Sequence, residues 1–229
     1  MSLKDLPITL AGKLHDIEIV HFTVDLEEMK QHIPSQLKVR SVGGKSVVSL
    51  VNVTPHRMGP QFLPPVMRPT YQAFLFRTLL EDAEYNEEKK DKGLYFTAVR
   101  SPSFMARTGL KLFTDIVIES CITTRTGNRV DLRTGDRFVR YELDDHAPVT
   151  VDPEIEDIAN TLDRAYTVNE DGVVRRVVIE RYRWPLKQVA CKDFATNFFK
   201  SAEPRACYKV TEIIDYIWKP FEVIARPRA

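Results

Sequence analysis

The chain has almost no excess of charge: 33 Lys and Arg stand against 32 Asp and Glu in 229 residues, for a formal net charge of +1. Such a balance gives no long-range attraction to a phosphate backbone or an anionic lipid surface, which argues against nucleic acid and membranes as partners. Cysteine is scarce as well. The three present, Cys121, Cys191 and Cys207, are far apart and odd in number, so they form neither a disulfide framework nor a Cys-x-x-Cys metal knuckle. The five histidines show no His-x-x-x-His spacing, and a structural zinc site is not expected. No run reaches the roughly 18 apolar residues of a membrane-spanning helix, and residues 6–12 are too short for the core of a signal peptide. No glycine-rich phosphate loop, nucleophile elbow or zincin motif occurs. Internal repeats and Gly/Ser linkers are also missing. The expectation is one domain over residues 1–229, in a reduced cytoplasmic protein with no cofactor and no metal.

What is present is β-rich patterning. With 43% hydrophobic residues the chain can bury one substantial core. Residues 17–24 read as a strand. Asp25 then looks like a helix N-cap with Glu28 three residues on, a capping-box pattern that opens a short helix ending before Pro34. Residues 37–42 and 46–54 flank Gly43-Gly44-Lys45, a hairpin signal. Five prolines between Pro55 and Pro69 predict an extended loop. Strands are predicted over residues 71–81 and 93–99, with the charged stretch 82–92 as a solvated hairpin tip. Further strands are predicted over 115–124, 129–133, 137–143, 173–183, 186–192 and 206–218. One amphipathic helix is expected from Asp152 as N-cap, with Pro153 at its first position and Glu154, Glu156 and Asp157 in its first turn. Its apolar face would be Ile155, Ile158, Ala159 and Leu162. Many strands with few helices predict a mainly β (α+β) fold, an antiparallel β-barrel or curved sheet.

Several of these segments carry a resemblance when taken in order. Val24-Asp25-Leu26 through Ile33-Pro34, Val42-Gly43-Gly44-Lys45 and the run from Val47 to Val53 resemble the opening of the acetoacetate decarboxylase-like superfamily. Phe76-Arg77-Thr78, Lys92-Gly93-Leu94-Tyr95-Phe96 and Glu180-Arg181-Tyr182-Arg183 continue the pattern to about residue 190. The match is best to the YqjF-like branch. The resemblance implies a cone-shaped antiparallel barrel with a few helices packed outside and a ligand cavity within. It also implies a lysine that forms a Schiff base with a keto acid, the iminium acting as an electron sink for loss of carbon dioxide. That chemistry needs an amine kept uncharged by desolvation or a cationic neighbour.

Lys111, in Thr108-Gly109-Leu110-Lys111-Leu112-Phe113, is the nearest candidate for that lysine. The decarboxylase pattern of glutamate, glycine, aromatic, proline and paired lysines is incomplete around it. The proline and second lysine are missing, and Arg107 stands near instead of the glutamate. The plainer reading is a surface lysine whose stem covers apolar surface. Arg77 is the candidate carboxylate anchor: with period 2, Tyr71, Ala73, Leu75, Arg77 and Leu79 share one strand face, and a guanidinium there needs a partner. A structural ion pair, for instance to Glu119, is the alternative. Gln72 occupies the place of a decarboxylase glutamate but has the opposite parity to Arg77. Tyr95 and Arg107 are candidates for the pocket rim, with ordinary packing and a solvated charge as their alternatives. Trp184 and Trp218 read as core closures. The function expected is binding of a small, carboxylate-bearing molecule by this barrel. The alternatives are a Schiff-base lyase acting through Lys111 and a non-catalytic scaffold, with a homo-oligomer compatible with each.

Overall fold

Two long strands organise the protein: β1 (Leu10–Asp25) and, after the short helix α1 (Leu26–Lys30) and strand β2 (Ser41–Val42), β3 (Lys45–Pro60). A computed structural model describes residues 4, 6–155 and 158–225. β2 and β3 meet through Gly43 and Gly44 at φ 57° and 81°, the paired positive values that a tight hairpin requires and that glycine adopts without strain. β4 (Ala73–Leu79) and β5 (Gly93–Ser101) follow, then α2 (Phe104–Phe113), β6 (Ile118–Ser120), β7 (Ile122–Thr126), β8 (Arg129–Thr134) and β9 (Arg137–Asp144). The chain ends with α3 (Ile158–Thr161), β10 (Arg164–Val168), β11 (Val174–Arg181), β12 (Leu186–Cys191), β13 (Ala195–Thr196), β14 (Glu203–Val210), β15 (Ile214–Trp218) and β16 (Glu222–Ala225).

Seven of these strands close a barrel. Its order is β1-β3-β4-β5-β10-β11-β15, and β15 returns to β1. All joints are antiparallel except β5–β10. β1 is shared with a second layer because it bends at Asp16, where φ is 51°. Before the bend it pairs with β15; beyond it, residues Ile17 to Thr23 pair with β14, which leads through β12 to β9, β8 and β7.

The second layer explains why the first strands are so apolar. Ile19, Val47, Val51 and Ala73 point into the barrel, while Val20, Phe22, Leu50, Phe74 and Phe76 on the alternate positions fill a second core against Val130, Leu132 and Tyr141. A strand covered on both faces loses its alternation and reads as a continuous apolar run.

Several local expectations are corrected. Asp25 starts α1 without a side-chain cap. The Glu28 carboxylate instead accepts bonds from Ser201 Oγ and from the backbone N–H groups of Lys200 and Ser201 at 2.6, 2.6 and 3.0 Å. Pro55 does not end β3, which runs on to Pro60. The β4 ladder stops opposite Val53; beyond it β1 remains the paired strand, and the other edge is met only by Met58 N–H to the Pro69 carbonyl and Tyr71 N–H to the Pro55 carbonyl at 3.0 and 3.1 Å, a sparse edge that tolerates residues without N–H donors. The 82–92 tip is not simply solvated. Asp82 is buried and accepts bonds from the backbone of Lys92 and Gly93 and from Tyr166 Oη at 2.7, 2.8 and 2.7 Å. The 115–124 strand is two strands broken at Cys121, and 206–218 is broken between Val210 and Ile214. Helix α2 was not expected; Ser103 Oγ caps it by accepting from Ala106 N at 3.3 Å. Ile155, Ile158, Ala159 and Leu162 are all buried in the barrel core as expected, although the helix spans only Ile158–Thr161. Glu156 and Asp157 lie outside the described residues.

Candidate active-site cavity

The strand registers assemble a polar row inside an apolar barrel. His21 on β1 stands opposite Ser49 on β3, Ser49 opposite Arg77 on β4, and Arg77 opposite Phe96 on β5. Ser49 Oγ and His21 Nδ1 are 2.9 Å apart. Burial first, and the nearby Arg77 charge second, push the His21 imidazole down to about 3, so it is neutral at ordinary pH.

Arg77 borders an internal cavity of about 50 Å³. Its own strand supplies Tyr71, Ala73 and Leu75 to the wall, the shared face read from the sequence. Val51, Val53 and Met58 come from β3, Phe96 and Val99 from β5, Tyr216 and Trp218 from β15, Trp184 from the segment after β11, and Leu110 from α2. The Arg77 side chain is buried, yet its Nε and Nη2 have no hydrogen-bond partner among the described residues. Glu119 does not serve it, because that carboxylate pairs with Arg100 at 2.8 Å. The indole Nε1 atoms of Trp184 and Trp218 are also buried without a partner among the described residues.

Trp184 is held by Asn160, whose Oδ1 accepts from the Trp184 backbone N–H at 2.7 Å while its Nδ2 donates to the Trp184 carbonyl at 3.2 Å. The guanidinium carbons of Arg77 and Arg181 lie 5.6 and 4.6 Å from the Trp184 ring centroid, within the range of cation–π attraction. Arg181 also donates to the carbonyls of Ala159 and Leu162. Burial and then the Arg181 charge bring Arg77 down to about 10, which still leaves it cationic at neutral pH. Two cations near one apolar space create a positive potential suited to an anion.

The other residues singled out from the sequence are not gathered here. Lys111 is exposed on α2; its neighbour Leu110 faces the cavity, and one helical residue turns the side-chain direction by about 100°. Gln72 borders a separate polar cleft with Glu18, Asn52 and Arg125. There it donates to Asn52 Oδ1 at 3.0 Å, while Asn52, Tyr141 and Arg125 donate to Glu18. The opposed parity of Gln72 and Arg77 is therefore realised as two faces. Tyr95 packs in a half-buried position beside Leu80 and Tyr166, where burial raises its hydroxyl pKa. Arg107 lies over the Phe104 ring at 5.8 Å. His21, Ser49 and Tyr216 do not stand out in the sequence, where Trp184 and Trp218 read only as core. A usable signal existed for His21: it continues the period-2 row of Ile17 and Ile19, on the inward face of the strand. Among the described residues no group of three His, Cys, Asp or Glu is arranged to hold a metal, and no helix is long and apolar enough to cross a membrane.

A family model described as DUF2071, uncharacterized conserved protein (COG2071), matches residues 12–213. The chain belongs to the DUF2071 family. No curated protein matches it. Among solved structures, acetoacetate decarboxylase from Legionella pneumophila subsp. pneumophila str. Philadelphia 1 superposes with a TM-score of 0.63 at 9% identity, covering 98% of this chain and 89% of that one. An acetoacetate decarboxylase-like enzyme from Sphingomonas wittichii RW1 gives 0.61 at 11%, over 96% and 95% of the two chains. The enduracididine biosynthesis enzyme MppR complexed with pyruvate gives 0.57 at 10%, over 96% and 91%. At these identities the likeness establishes the fold, which is acetoacetate decarboxylase-like as the sequence motifs implied.

Proposed function

We propose that this protein binds a small carboxylate-bearing molecule in the barrel cavity, with the carboxylate seated on Nε and Nη2 of Arg77. One observation carries the reading: a buried guanidinium at the wall of an apolar space has two donors without partners among the described residues. Leaving such donors unmet is costly, and a carboxylate satisfies both at once in the bidentate geometry that the arginine fork favours. The pyruvate complex of MppR supports this, since a barrel of the same fold there holds a small carboxylate.

The Schiff-base reading assigns the nucleophile to Lys111. Its amine is exposed and outside the cavity wall, whereas an uncharged lysine nucleophile needs desolvation or a cation beside it. Binding without a lysine intermediate is the reading that the geometry favours. The test is titration of pyruvate, acetoacetate and related acids against the wild type and Arg77→Met, with borohydride added in parallel. Saturable binding that disappears in Arg77→Met, without a covalent adduct, is expected. Binding that survives the substitution overturns the anchor, and a reduced adduct mapped to Lys111 restores the lyase.

A further inference from the structure

The cavity beside Arg77 is small. Its roughly 50 Å³ has room for about four waters, so it suits a head group better than a larger ligand. A groove of about 260 Å³ lies next to it, between α2 and the proline-rich segment that follows β3. The two spaces share three wall residues, Met58, Tyr71 and Leu110. From that partition the groove runs outward past Leu63, Met67 and Met105. Met67 and Met105 are 64% and 63% exposed, and unbranched, polarizable methionines adapt readily to an apolar partner. Gly109 faces the groove from α2, and a Cβ built there meets nothing within 4 Å.

We infer that cavity and groove are one binding site for an amphipathic carboxylate: the head group sits on Arg77, and an unbranched acyl chain passes the Met58–Tyr71–Leu110 partition into the groove. This rests on the Arg77 anchor proposed above and extends it from a small acid to a class of ligand. Two features favour an acyl chain over other occupants. The groove adjoins the Arg77 cavity across a wall lined by three shared side chains, Met58, Tyr71 and Leu110, and it is apolar along its length, with Thr108 as the one side chain bearing a hydroxyl besides Tyr71 among its wall residues.

The test uses straight-chain carboxylic acids from propionate to decanoate, each below its micelle concentration. Both of the chain's tryptophans, Trp184 and Trp218, line the cavity, so intrinsic fluorescence reports occupancy directly. Each methylene buried in the groove is expected to tighten binding about three- to fourfold. Gly109→Trp, which directs a ring into the groove from a position with open space, is expected to flatten that climb, and circular dichroism verifies that the variant is folded. Met105→Glu gives a second, independent block if Gly109→Trp fails to fold. Affinity that does not depend on chain length overturns the groove and leaves the Arg77 anchor standing. An equal climb for the methyl esters overturns the anchor, and with it the carboxylate class. No binding at any length overturns both.

Discussion

Acidification isolates the contribution of one buried imidazole. His21 is fully enclosed, and in the folded protein it takes a proton only near pH 3 instead of at its ordinary 6.5. Below 6.5 the unfolded chain therefore binds a proton that the folded chain refuses. The stability held by neutral His21 is complete above pH 6.5 and is lost as the pH falls toward the folded value. At about 1.36 kcal/mol per unit, lowering the pH to 5 costs about 2 kcal/mol, and the whole window about 5 kcal/mol. The experiment compares urea unfolding of the wild type and His21→Gln at pH 7 and pH 5. Glutamine can still bond Ser49 but does not titrate. His32, lowered chiefly by its own burial, and the surface carboxylates titrate in both proteins and cancel in the difference. The stability gap between the two proteins is expected to change by about 2 kcal/mol over this interval, to the disadvantage of the wild type at low pH. A gap that stays constant refutes the placement of His21 as a buried neutral group beside the Arg77 cation.

Other substitutions probe the framework and the anchor. A Cβ at Gly93 would lie 2.6 Å from Tyr166 Cε2 and 2.7 Å from Asp82 Cγ, so Gly93→Ala should lower stability by about 1–3 kcal/mol, seen as a lower melting temperature. Glu28→Ala removes the acceptor for three hydrogen bonds from Lys200 and Ser201 and should cost about 1–3 kcal/mol in urea unfolding without altering ligand affinity. Arg77→Met removes a buried cation with two unmet donors, so the ligand-free variant should melt at or above the wild-type temperature while losing carboxylate binding. A marked drop in melting temperature would instead assign Arg77 a structural role.

Much of the fold was legible because the chain follows simple periods. The Gly43-Gly44 turn, the inward face of β4 and the apolar face around α3 each follow from a repeat of two or 3.6 residues or from a turn residue. The misreadings share a cause, since they depend on partners distant in sequence. Glu28 is three residues from Asp25 along the chain, but Lys200 and Ser201 supply the groups that it binds. Pro55 and Pro60 look like strand breakers, and only the early end of β4 leaves them an edge on which to stand. The candidate site divides in the same way. Arg77 was recognisable as a charge on an apolar strand face. His21 and Ser49 joined it only when the two registers of three neighbouring strands aligned, and Trp184 only when Asn160 fixed its position. Lys111 was singled out from a short motif, and α2 turns its side chain to solvent.

A crystal structure with pyruvate bound decides whether Arg77 is the carboxylate anchor. The carboxylate oxygens are expected at about 2.7–2.9 Å from Nε and Nη2 of Arg77, with the rest of the molecule against Trp184 and Tyr216. Pyruvate bound away from Arg77, or Nε and Nη2 already bonded to protein groups, would contradict that assignment.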